Sequence, residues 1–102
     1  MGKLHLNSSF IINYSVRIVQ TEDYPYVFVE IFTEAQSLSY KIVTDENFSD
    51  INYIYQRLQN GISSAANNVN DNLEIGEYLE RNYVFFTYPD GTQDKYTAFR
   101  IE

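Results

Sequence analysis

The chain has 102 residues, 44% hydrophobic and 17% aromatic, with ten Tyr, seven Phe and neither Trp nor Cys. That is apolar area for one core and too little chain for two, so a single domain over residues 1–102 is expected, and disulfides, thiolate nucleophiles and cysteine-based zinc sites are excluded. Fourteen carboxylates against seven Lys and Arg give a formal net charge of −7, which opposes direct nucleic-acid binding and favours a larger protein partner with a basic surface.

The first residues, Met1 to Ser9, carry one Lys and no apolar run. No secretory leader or membrane-spanning helix is expected from such a composition, and the location expected is cytoplasmic. His5, the lone imidazole, falls in a segment expected to fray.

From Phe10 to Val19, apolar Phe10, Ile12, Tyr14, Val16 and Ile18 alternate with Asn13, Ser15 and Arg17, the period of a half-buried strand. After the polar turn Gln20 to Asp23, the nearly continuous apolar run Tyr26 to Phe32 predicts a central strand buried on both faces. Leu38, Tyr40 and Ile42 alternate with Ser39 and Lys41 in a third strand. Three strands with short connections predict an antiparallel meander.

The period then lengthens. Phe48, Ile51, Ile54 or Tyr55, Leu58 and Ile62 lie three and four apart, the stripe of an amphipathic helix, with Thr44, Asp45 and Glu46 placed to cap its start and Asn60-Gly61 offering a left-handed stop. Ser63 to Asn72 is rich in Ser and Asn and reads as a helix extension or an ordered loop. Leu73 to Arg81 fits a strand through Leu73, Ile75 and Leu79, and equally a short helix through Leu73, Gly76, Leu79 and Tyr83. Finally, Tyr83 to Tyr88 and Lys95 to Ile101 flank Pro89-Asp90-Gly91, where Pro presets the turn and Gly takes positive φ, so a hairpin is expected. The fold class expected is α+β: an antiparallel sheet from a three-strand meander and a C-terminal hairpin, with one helix packed on a face.

No standard chemistry finds its residues. No Gly-x-Ser-x-Gly turn presents a nucleophile, and the four glycines Gly2, Gly61, Gly76 and Gly91 are too far apart for a phosphate loop. A calcium loop starting at Asp45 has Asp50 where Gly is needed and Gln56 in place of the terminal Glu. The expectation is therefore a non-enzyme without metal or cofactor.

Two surface features remain. Asp71, Glu74, Glu77 and Glu80 are spaced by three and enclose Tyr78, making a slanted anionic ridge on a helix and a less regular patch on a strand. Glu30 and Glu34 share strand parity with Phe28 and Phe32, and Tyr53 flanks the helix stripe. Carboxylates beside tyrosines suit contact with Arg and Lys on a partner. The leading expectation is an acidic inhibitor or antagonist of a nucleic-acid-acting protein, of the phage anti-defence or immunity type. A homo-oligomeric accessory protein, compatible with a homodimer, is the alternative, and a small carboxylate-based enzyme the third.

Overall fold

The computed structural model describes the backbone of residues 2–7 and, apart from the Leu79 side chain, residues 11–43, 51–67 and 72–101 in full. Seven strands and one helix run in the order β1 (Gly2–Asn7), β2 (Ile11–Val19), β3 (Tyr26–Thr33), β4 (Ser37–Val43), α1 (Ile51–Asn67), β5 (Asn72–Tyr78), β6 (Tyr83–Thr87) and β7 (Gln93–Arg100). The strands form one sheet in the spatial order β1-β5-β6-β7-β4-β3-β2, every neighbouring pair antiparallel. The α+β class, the β2-β3-β4 meander and the β6-β7 hairpin follow the sequence expectation. β7 enters the sheet between β6 and β4, so the hairpin lies at its centre.

One face of the sheet makes the core with α1. Val16, Val27, Val29, Ile31, Leu38, Tyr40, Ile42, Leu73, Ile75, Val84, Phe86 and Ala98 point inward and are buried. The helix meets them with Ile51, Ile54, Leu58, Ile62 and Ala65, at steps of three and four residues. Burying one such aliphatic side chain stabilises by about 1.5–3 kcal/mol. The helix lies closest to β2 at the sheet edge. Its expected caps, Thr44 to Glu46, and its expected start at Phe48 lie outside the described residues.

Three expectations are corrected, and the segment left open between strand and helix is decided. The segment expected to fray contains β1, which pairs with β5 from Gly2↔Glu77 to Asn7↔Asn72. The 73–81 segment is a strand followed by a short 3-10 helix, Leu79–Arg81. Gly61 does not stop α1, which continues to Asn67. A side-chain carbon at Gly61 would collide with the Tyr88 ring, reaching 2.9 Å from Cγ and closer still to Cδ1 and Cε1, so glycine is present for contact rather than for termination. Lastly, β3 is buried on one face only: Val27, Val29 and Ile31 are fully buried, whereas Tyr26, Phe28 and Phe32 on the other side are half-buried.

The turns follow local side-chain chemistry. Thr33 Oγ1 donates to the Gln36 carbonyl at 2.8 Å and accepts from the Gln36 amide at 3.1 Å, closing the β3-β4 turn. In the β6-β7 turn the Gly91 amide donates to the Tyr88 carbonyl at 2.9 Å, and Gly91 has φ of 90°. That backbone would strain any residue with a β-carbon, which is why glycine ends the Pro-Asp-Gly sequence. Asp90 Oδ1 accepts from the Thr92 amide and hydroxyl at 2.9 and 2.6 Å. These bonds favour the carboxylate and hold Asp90 below its ordinary range, so they support the turn at neutral pH and are lost as acid protonates the group.

Candidate binding surface

Strand register decides which side chains share the face opposite α1. Across four strands, Arg17↔Phe28, Phe28↔Lys41 and Lys41↔Phe99 are direct partners, so cation and ring alternate in one row. A parallel set follows from Gly76↔Phe85 and Phe85↔Lys95, with Tyr78↔Tyr83 and Tyr83↔Thr97 beside it. Outward positions of a solvated antiparallel face are usually polar, and here aromatic rings are interspersed among the polar ones.

The rings and cations are ordered against one another. The Arg17 guanidinium lies 5.0 Å from the Phe28 centroid, Lys41 Nζ lies 4.7 Å from that of Tyr26, and Lys95 Nζ lies 4.4 Å from that of Tyr83. Tyr78 stacks on Tyr83 at 5.0 Å, and both meet Phe85 edge-on at 5.5 Å. Exposed cation–ring contacts are worth about 0.5–1 kcal/mol each, enough to orient a side chain but not to seal a surface. Phe99 remains 42% exposed. No described segment packs across this face.

The expected acidic residues are dispersed. Because 72–78 is extended, successive side chains alternate between faces. Glu74 and Tyr78 lie on the open face, while Glu77 is 7% exposed on the core face. There the Tyr40 hydroxyl donates to its carboxylate and Arg100 Nη1 donates to both oxygens, at 3.2 and 3.3 Å. Glu77 therefore ties β5 to β4 and β7 and leaves the expected ridge. Glu80 is exposed on the 3-10 helix, and Asp71 lies outside the described residues. Glu30 sits on the open face between Ser15 and Ser39, Glu34 is exposed in the β3-β4 turn, and Tyr53 projects from α1, 65% exposed. The structure brings together Glu30, Glu74 and Tyr78 on one face and separates them from Glu34, Glu80 and Tyr53.

Sequence reading missed Arg17, Lys41, Lys95, Phe28, Phe85 and Phe99 as one surface. Their parity was visible strand by strand, but their adjacency depends on register between strands distant in the chain.

On the helix side a cleft of about 160 Å³ is lined by Arg57, Asn60, Gly61, Ser64, Tyr88, Pro89, Asp90 and Thr92. Its charged groups are engaged within the fold. Arg57 donates to Asp94 at 3.0 and 3.3 Å and to Thr92 at 3.3 Å, and Asp90 is held by Thr92. Beneath it Tyr96 donates to Asp94 at 3.0 Å, while the buried Tyr88 hydroxyl lies close to both without a well-formed hydrogen bond to any described residue.

Burial is the main force raising the phenols of Tyr40, Tyr88 and Tyr96 well above the ordinary tyrosine range, reinforced by Glu77 at Tyr40, by Tyr96 and Asp94 at Tyr88, and by Asp94 at Tyr96. A raised acid pKa favours the neutral form in the fold, so this stabilisation is whole below about pH 10 and declines as the unfolded phenols ionise above it. In a spectrophotometric alkaline titration these three phenols are expected to ionise only with loss of near-ultraviolet circular dichroism. Reversible ionisation of all ten tyrosines in the folded protein would contradict the burial.

No family model matches the sequence, and neither the curated proteins nor the solved structures include a significant match to the chain. Among the described residues, no helix is long and apolar enough to cross a membrane, and no group of three or more His, Asp or Glu is placed to hold a metal ion.

Proposed function

We propose that the protein is a non-enzymatic module that binds a protein partner through the open face of its sheet. The observation that carries this reading is the aromatic layer of Tyr26, Phe28, Phe85, Tyr83 and Phe99 on a face that no described segment covers. Tyr and Phe supply broad contact area at small rotamer cost and are enriched where proteins meet. An antagonist acting on a basic surface has less support, because the carboxylates that would have formed its ridge are split between the two faces and Glu77 is committed to Tyr40 and Arg100.

The test is affinity capture from the native host, followed by binding measurements with the purified partner. Replacing Phe28 and Phe99 by Ser is expected to weaken binding by at least tenfold, since each ring at an interface centre is worth about 1–2 kcal/mol or more. Tyr53→Ser, on the helix side, is expected to leave binding unchanged. Undiminished binding by the Phe28→Ser/Phe99→Ser protein, shown to be folded, would overturn the proposal.

A further inference from the structure

The charges of the open face run against the charge of the chain. Carboxylates outnumber Lys and Arg two to one in the sequence. On the core side, Arg57 and Arg100 each bond a carboxylate. On the open face, Arg17, Lys41 and Lys95 instead rest on Phe28, Tyr26 and Tyr83, with none of the ion pairs recorded among the described residues. The face also holds Glu30, half-buried between two serines, and Glu74.

We infer that the partner surface seated on this face is anionic: a protein segment presenting carboxylates separated by apolar groups. This rests on the reading of the face as a docking surface, and it reverses the sequence expectation of a basic partner. Neighbouring strands are about 4.8 Å apart, so Arg17 and Lys41 flank β3 from either side, and their side chains reach over it, the guanidinium to Phe28 and the ammonium to Tyr26, while Phe99 lies beside Lys41 on the next strand. Carboxylates seated above these two neighbouring rings reach both cations while apolar atoms beside them cover Phe99. Ammonium and guanidinium groups resting on rings keep their own charge unneutralised, so an incoming carboxylate gains a charge-assisted hydrogen bond without first displacing an internal one.

A second copy of this chain seated on the same face fits less well, because two such faces would bring Arg17, Lys41 and Lys95 of both copies into one dry contact, where unpaired charge is costly. Nucleic acid supplies anions and flat rings as well. Its binding draws on many phosphate contacts at once, and among the described residues three cations on this face are placed to make them.

The experiment is an amide NMR titration of the full chain with three probes of equal length: a synthetic peptide of repeating Glu-Leu-Glu-Gly units, its Lys-for-Glu counterpart, and an oligothymidylate. The acidic peptide is expected to shift resonances of Arg17, Phe28, Lys41, Lys95 and Phe99, and to bind at least tenfold tighter than the basic peptide. Lys41→Glu with Lys95→Glu is expected to abolish those shifts, and Lys41→Gln with Lys95→Gln to weaken binding severalfold, as befits two part-exposed ion pairs. Both pairs of lysine substitutions change outward side chains, and a native-like spectrum verifies folding before titration. Shifts confined to other regions, no shifts, or preference for the basic peptide would overturn the inference, as would tighter binding of the oligothymidylate at the same residues. Native-partner binding that survives Lys41→Glu/Lys95→Glu but fails with Phe28→Ser/Phe99→Ser would reject the anionic partner while leaving the docking face in place.

Discussion

Glu77→Ala is expected to destabilise the protein by about 3–5 kcal/mol, the usual loss when one partner of a buried charged pair is removed. The magnitude follows from what remains. The Tyr40 hydroxyl, buried on β4, loses its acceptor, and the Arg100 guanidinium, with 28% side-chain exposure, loses both oxygens of its carboxylate. A domain of this size is typically stable by about 5–15 kcal/mol, so the variant keeps a small margin or unfolds at room temperature. Glu77→Gln retains an acceptor for Tyr40 and the side-chain volume while removing the charge, and is expected to fall between the two. Urea denaturation followed by far-ultraviolet circular dichroism measures all three proteins. A loss below about 1 kcal/mol for Glu77→Ala would show that Arg100 and Tyr40 find water or other partners at little cost.

Gly61→Ala is expected to destabilise by about 2 kcal/mol although alanine is the better helix former. Intrinsic propensity favours alanine by about 1 kcal/mol in a helix interior. Against this, the new methyl would enter the Tyr88 ring, which is buried and cannot swing aside as a flexible chain end could, and such overpacking costs about 1–3 kcal/mol, here at the upper end. For a domain of about 100 residues the difference lowers Tm by roughly 10 °C. The decisive measurement is the same substitution in a Tyr88→Ala background. With the ring gone only propensity is left, so Gly61→Ala should there become stabilising. Destabilisation of the same size in both backgrounds would exclude the ring as its cause.

Much of the fold is legible in the sequence because several elements keep one period. The alternation through Val16 and Ile18, the helical spacing of Ile51, Ile54, Leu58 and Ile62, and Pro89-Asp90-Gly91 each specify local geometry that tertiary packing did not override. The errors share a physical source in contacts made far along the chain. Gly61 resembles a helix stop until Tyr88, a distant residue, is placed against it. Strand β5 is obscured because its third inward position is Glu77, a charge tolerated there only through Tyr40 and Arg100. Gly2–Asn7 alternates only through Leu4 and Leu6, too short a run to announce a strand, and is one because β5 offers it an edge. The open face was the least legible part. Arg17, Phe28, Lys41 and Phe99 come from four strands, and a shift of one residue in any pairing would send its side chain to the other face.

The central position of β7 also orders events during synthesis. The meander β2-β3-β4 can assemble from local chain as soon as it emerges, and β5 and β6 can pair soon after α1, but β4 and β6 each have a vacant edge until the last strand arrives. Pairing Tyr40 with Arg100 closes a loop containing the whole helix and two strands, a non-local contact of the kind that slows folding. Without β7 the sheet would be two incomplete parts, each with an open hydrogen-bonding edge. Unpaired edges template pairing with other chains, so covering both at once is what this one strand contributes against misassembly.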